Sequence, residues 1–239
     1  MNKISMIQVT QTAVLADRDN IPALADEFER NGVARFQGFL APSVLKLLLN
    51  AVNAAEFVVK NEVHEGRVFG TTLFVPLTDP AMILLHFILN RPALFEVVER
   101  IVGCPKLANF TGRLHRTSAE SNQHIDWHDD VSDSRTVGIT VNLGTEPYSG
   151  GALQVRDPEK HTRAEVGCFA AGDAFLFRID RGWQHRLSPV ESGSRTVGVG
   201  WFRTKPDWRD YNPAVVAARR AAERVEESKF STEFTADPC

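Results

Sequence analysis

Hydrophobic positions in the first part of the chain recur at helical spacing. In "NIPALADEFERNG", Ile21, Leu24, Ala25 and Phe28 share one face and Gly32 ends the run, which predicts an amphipathic helix. "VARFQGFL" predicts a short strand. "APSVLKLLLNAVNAAEFVVKNE" then sets Val44, Leu47, Leu48 and Val52 on one stripe and predicts a single longer helix. "VHEGRVFGTTLFVPLTDP" fits neither period. "AMILLHFILNRPALFEVVERIVG" reads as two helices broken at Arg91-Pro92, because proline disfavours a helical conformation in the residue before it. His86 inside this apolar run reads as a packed helix histidine.

After Pro105 the period changes from helical to alternating. "KLANFTGRLHRT", "RTVGITVNL", "GALQVRD", "RAEVGCFA", "DAFLFRI", "HRLSPV" and "RTVGVGWFR" are short strands separated by Gly, Pro, Asp and Ser, a spacing that predicts a sandwich or barrel. In "RTVGITVNL", Val137, Ile139, Val141 and Leu143 point one way, while Thr136, Gly138, Thr140 and Asn142 point the other. The small polar face would leave room for a polar ligand inside a barrel. The Ala-rich, charged "NPAVVAARRAAERVEESK" predicts a surface helix near the C-terminus. The expected organisation is one integrated domain: a supporting region over 1–104, a β core over 105–204, and a C-terminal helix and tail over 205–239.

Composition narrows the function classes. In 239 residues, Lys+Arg 27 against Asp+Glu 30 gives a net charge of −3 with no basic stripe, so nucleic acid is not an expected partner. No apolar run approaches a membrane span, and the N-terminus lacks the apolar core of a signal peptide. The 3 cysteines show no paired spacing, which suits a reducing compartment and a cytoplasmic location. Cys168 reads as a small core residue, and His64 and His161 as exposed loop residues. Oligomeric state is not encoded in any visible pattern.

The densest chemistry is in "QHIDWHDD", which contains His-x-Asp twice, as His124/Asp126 and as His128/Asp130. His-x-Asp on an extended chain sets two metal ligands on one side, and a later strand can return a third. His185 in "GWQHRLSPV" is far enough along to be that third ligand. Arg195 then heads "RTVGVGWF", where a buried guanidinium could clasp a carboxylate with two hydrogen bonds. In an extended strand all four residues of the double motif point the same way, so periodicity does not choose between the pairs.

Together, "WHDD", "RTVGITVNL", "YSGGALQV", "GDAFLFR", "QHRLSPV" and "RTVGVGWF", in that order, resemble the iron(II)- and 2-oxoglutarate-dependent oxygenases, particularly the branch similar to prolyl 4-hydroxylases. The resemblance implies a mainly β fold with flanking helices, built on a double-stranded β-helix, a cupin-like jelly roll. It implies His128, Asp130 and His185 as the catalytic metal ligands, since related sequences have an extended or aromatic stretch before the metal histidine and a loop after the aspartate. His124 and Asp126 would then orient those ligands. Arg195 would bind 2-oxoglutarate. The tyrosine that often assists in the prolyl hydroxylase branch has no counterpart at that place, since the only tyrosines are Tyr148 and Tyr211, so Thr140 and Asn142 are the expected substitutes. Arg113 and His115 share parity on the preceding strand and would face the barrel mouth.

The implied cofactors are Fe(II), 2-oxoglutarate and O2, with ascorbate as a candidate reductant. The implied reaction hydroxylates an unactivated C–H bond of a small-molecule or amino-acid-type substrate as 2-oxoglutarate becomes succinate and CO2. Desaturation, cyclisation or peptidyl hydroxylation on the same site remain open, as does a non-catalytic metal- or ligand-binding sensor on a cupin-like barrel. The cupin pattern proper needs His-x-His, which this sequence lacks. Substrate choice would fall to the segment 63–79, the strand carrying Arg113 and the loop "TSAESNQ".

Overall fold

The computed structural model describes residues 7–64, 67–121, 124–132, 134–180 and 182–205. The expected C-terminal helix lies outside the described residues, as does Tyr211. In chain order the strands are β1 (Ile7–Val9), β2 (Val14–Ala16), β3 (Val33–Phe36), β4 (Val58–His64), β5 (Arg67–Phe74), β6 (Asn109–Ser118), β7 (Ile125–His128), β8 (Arg135–Asn142), β9 (Ser149–Gly150), β10 (Leu153–Arg156), β11 (Thr162–Val166), β12 (Ala174–Arg178), β13 (Gln184–Leu187), β14 (Val190–Ser192) and β15 (Ser194–Arg203). The helices are α1 (Ile21–Asn31), α2 (Pro42–Ala54), α3 (Pro80–Leu89) and α4 (Pro92–Val102).

A major sheet runs in the order β3-β12-β8-β15-β6-β5-β4 and a minor sheet in the order β11-β10-β13-β7. From β6 onward the chain alternates between them: β6 major, β7 minor, β8 major, β10 and β11 minor, β12 major, β13 minor, β15 major. Crossing back and forth in this way winds two antiparallel sheets around a shared interior, the double-stranded β-helix. The short β9–β14 pair clamps one end.

The helices form because their apolar faces have somewhere to go. Leu24 and Phe28 of α1, Leu48 of α2, Leu85 of α3 and Leu94 of α4 pack with Ile139, Val141 and Phe202 on the outer face of the major sheet. Each such buried side chain contributes about 1.5–3 kcal/mol relative to exposure. α1 stops at Gly32, whose left-handed φ of 67° returns its N–H to Phe28 O. α3 starts on Asp79, whose carboxylate accepts the Ala81 N–H at 2.7 Å. His86 is buried in α3 with Nε2 3.0 Å from Gly112 O, and burial lowers its pKa, so the ring serves as a neutral strut between helix and β6.

Three expectations need correction. The second helix ends at Ala54 rather than running on, because Val58 and Val59 are β-branched and pair with Phe74 and Leu73 of β5. The stretch that fitted neither period is thus half of a β4–β5 hairpin that extends the major sheet, and His64 belongs to a strand. Cys168 is exposed and not part of the core.

Candidate active site

β7 and β13 are neighbours in the minor sheet, and their register sets His128 directly against His185. The two rings stand 4.3 Å apart at their centroids. Ile125 pairs with Leu187 while His128 pairs with His185, so β7 carries an extra residue in a bulge. Asp130 follows just beyond the strand. Its Oδ2 lies 3.2 Å from His185 Nε2, and its Oδ1 lies 3.9 Å from His128 Nε2. One candidate ligand atom from each of the three residues falls within 4.8 Å of the others.

Hydrogen bonds orient the ligands. His128 Nδ1 donates to the Asp126 carbonyl oxygen at 2.7 Å, which leaves Nε2 as the ring nitrogen turned toward Asp130. Burial alone would raise the Asp130 pKa. The hydrogen bond and charge of His185, the charge of His128 and a hydrogen bond from Trp201 outweigh burial and hold the carboxyl below its usual range. Trp201 Nε1 donates to Oδ2 at 2.9 Å, and an Arg135 guanidinium nitrogen stands 3.5 Å from Oδ1. Two imidazole nitrogens and one carboxylate oxygen on one side of an ion form a donor set that suits Fe(II) and leaves positions open for other ligands.

The major sheet braces this cluster from across the interior. The Phe177 ring packs edge-on against His185, with centroids 4.9 Å apart. Gly138 pairs with Phe177 in register, and a Cβ at position 138 would overlap that ring. Gly138→Ala should therefore destabilise the fold by about 1–3 kcal/mol through overpacking, and it should weaken iron binding by displacing His185. Melting temperature and anaerobic iron titration check both effects. Wild-type values for both would show that Phe177 does not brace His185.

Other sequence-chosen residues occupy distinct places. His124 precedes β7, and the side chain of Asp126 is exposed; neither joins the three-residue cluster. Arg113 and His115 of β6 pair with Val199 and Val197 of β15 and share the face of Trp201. Thr140 is buried on β8 between Phe175 and Val199. The Asn142 amide donates to the Phe169 carbonyl and accepts from Gly144 N–H, so it braces the loops at the strand end. Arg195 is 6% exposed on β15, and Asp173, a conceivable ion partner, instead accepts the Gly38 N–H at 2.7 Å. Sequence reasoning missed Trp201, Phe177 and Arg135. Trp201 was within reach, because it shares strand parity with Arg195.

Residues 112–203, the span from β6 to the end of β15, match the model of the 2OG-Fe(II) oxygenase superfamily. The β-helix of this chain is similar to the core of the 2OG-Fe(II) oxygenases. Enzymes of this family are 2-oxoglutarate-dependent dioxygenases that use Fe(II), 2-oxoglutarate and O2, and the His128–Asp130–His185 cluster lies inside the matched span.

Solved structures share the fold. An oxidoreductase of the 2OG-Fe(II) oxygenase family from Burkholderia pseudomallei superposes with a TM-score of 0.59 at 13% identity, over 83% of this chain and 96% of that one. A Pseudomonas putida prolyl-4-hydroxylase gives 0.55 at 17%, over 78% and 100%. The alpha ketoglutarate dependent epimerase SnoN from nogalamycin biosynthesis gives 0.56 at 12%, over 78% and 83%. No curated protein sequence matches this chain. The β-helix core is thus similar in architecture to proteins whose names carry different reactions.

Proposed function

We propose that this oxygenase hydroxylates an unactivated C–H bond of a small, amino-acid-type substrate. One oxygen atom of O2 enters the product and the other enters succinate, as 2-oxoglutarate loses CO2. The observation that carries this reading is the half-buried, ionised Asp130 completing a cluster of two histidines and one carboxylate. Related halogenases have a small residue in place of this aspartate. Bound iron would supply the oxygen-activating chemistry, with 2-oxoglutarate as the source of electrons. His128, Asp130 and His185 would hold it, and Arg195 would grip the co-substrate.

Support for an amino-acid-type substrate comes from the wall beside Asp130. The Arg113 guanidinium stands 6.0 Å and the Arg135 guanidinium 3.8 Å from the Trp201 ring centroid. Cations at that wall suit a molecule carrying its own carboxylate. The test is to incubate the protein with Fe(II), 2-oxoglutarate, O2 and a panel of free amino acids and their carboxamides. The expected outcome is a product heavier by one oxygen, formed in step with succinate, and seen with acids but not amides. A product lighter by two hydrogens would replace hydroxylation with desaturation, and absence of succinate with iron present would reject the oxygenase reading.

A further inference from the structure

The outer face of the minor sheet gathers cations that the metal chemistry does not use. In the β10–β13 ladder Val155 pairs with His185 and both are buried, so the alternate pairs, Arg156 with Gln184 and Gln154 with Arg186, point outward. Trp127 of β7 joins them, its ring centroid 4.2 Å from Arg156 Cζ and 4.8 Å from Arg186 Cζ. Stacking on an indole steadies a guanidinium and leaves its N–H edges open to other partners. Lys160 completes the group from the turn between β10 and β11. Its left-handed φ of 69° is the only positive φ on a non-glycine among the described residues. Arg186 and Lys160 are exposed, so the group is open to solvent.

These cations are held by neutral oxygens. Gln184 Oε1 accepts from Arg156 Nε at 3.1 Å, from Arg156 Nη2 at 2.6 Å and from Lys160 Nζ at 2.9 Å. An amide oxygen has two lone pairs, so three cationic donors overfill it. Arg186 Nε donates to Gln154 Oε1, again uncharged. Nearby acids are engaged elsewhere: Asp157 accepts the His161 N–H at 2.8 Å and pairs with Arg163 at 3.8 Å, while Glu165 accepts from the Gln154 amide at 2.6 Å. Among the described residues no carboxylate pairs with Arg156, Lys160 or Arg186. Like charges gathered on shared neutral oxygens repel one another, and an anion with several acceptor oxygens relieves that repulsion.

We propose that Arg156, Lys160 and Arg186, with Trp127 positioning the two guanidiniums, form a binding site for the dianionic phosphate group of a small molecule, separate from the active site. Three cations suit one dianion and fall short of the basic stripe that a nucleic acid needs, in a chain of net charge −3. Trp127 and Gln184 immediately precede His128 and His185, so the site backs onto the metal cluster across a single layer of sheet.

The test is calorimetric titration of the full chain, without added metal because phosphate chelates iron, using inorganic phosphate, glycerol 3-phosphate and acetate at constant ionic strength. Saturable binding of phosphate is expected, with acetate about tenfold weaker or more. Tighter binding of glycerol 3-phosphate assigns the site to a phosphorylated metabolite, and tighter binding of inorganic phosphate assigns it to the free anion. Arg186→Gln and Lys160→Gly should each weaken phosphate binding about tenfold or more, the usual weight of a hydrogen bond to a charged group. Glycine accepts the left-handed backbone of position 160, so the Tm of Lys160→Gly should stay at the wild-type value and exclude misfolding as the cause. Both variants should keep wild-type iron stoichiometry, measured in phosphate-free buffer, which separates this site from the metal cluster. Absence of saturable phosphate binding to the wild-type chain, acetate bound as tightly as phosphate, or phosphate affinity within twofold of wild type in both variants would overturn the proposal.

Discussion

Asp130→Gly is expected to abolish 2-oxoglutarate-coupled turnover, while Asp126→Gly retains most of it. Asp130 is the one carboxylate in the metal cluster, and it is tied to His185, Trp201 and Arg135. Its loss removes a ligand and leaves the Trp201 N–H and the Arg135 charge without this acceptor in a half-buried wall. Asp126 differs because its side chain is exposed and its link to the site is a backbone carbonyl accepting from His128. Glycine keeps that carbonyl. Succinate formation, oxygen uptake and anaerobic iron stoichiometry would be measured for both variants at saturating iron. The reverse pattern would move the metal to His124 and Asp126, and two variants that both behave as wild type would remove iron from this motif altogether.

Arg195→Leu should raise the 2-oxoglutarate concentration needed for half-saturation by a hundredfold or more and leave iron binding intact. Removing one partner of a buried, hydrogen-bonded charge pair costs about 2–5 kcal/mol. Leucine is apolar and smaller, so the fold should survive where a shifted charge would not. A surface arginine paired with an exposed acid would instead change little, since such pairs contribute only about 0–1 kcal/mol. The burial of Arg195 and the engagement of Asp173 with Gly38 separate the two cases in advance. Titration of 2-oxoglutarate against the iron-loaded variant decides it, and unchanged affinity would exclude the arginine from the co-substrate site.

Much of the β core was legible because alternation is local. Ile139 and Val141 face the helices while Thr140 and Gly138 face inward, as period-two patterning requires. Helix breaks at Pro92 and Gly32 were legible for the same reason, since each depends on one residue's own backbone preferences. Failures came where partners distant in sequence decide. The β4–β5 hairpin rests on strand pairing that overrides an apolar stripe. The double His-x-Asp motif was ambiguous because parity assumes a regular strand, and the bulge in β7 breaks that regularity between Ile125 and His128. Tyr148 was set aside because it is not on the strand where the resemblance places a tyrosine. Its approach to Arg195 depends on a folded turn whose trace in the sequence is the pair of glycines, Gly150 and Gly151.

That turn also bears on distance. His185 and Arg195 sit on either side of one short connection, and β14 within it is stapled to β9 through Val190 and Gly150. If His185 and Arg195 hold the two ends of a keto acid as proposed, the connection would act as a gauge of the span between them. A chain shorter by one carbon would reach only one of the two grips, and a longer one would have to buckle between them. Co-substrate length would in this way be set by main-chain geometry, leaving the walls of the barrel free to vary with the molecule being oxidised.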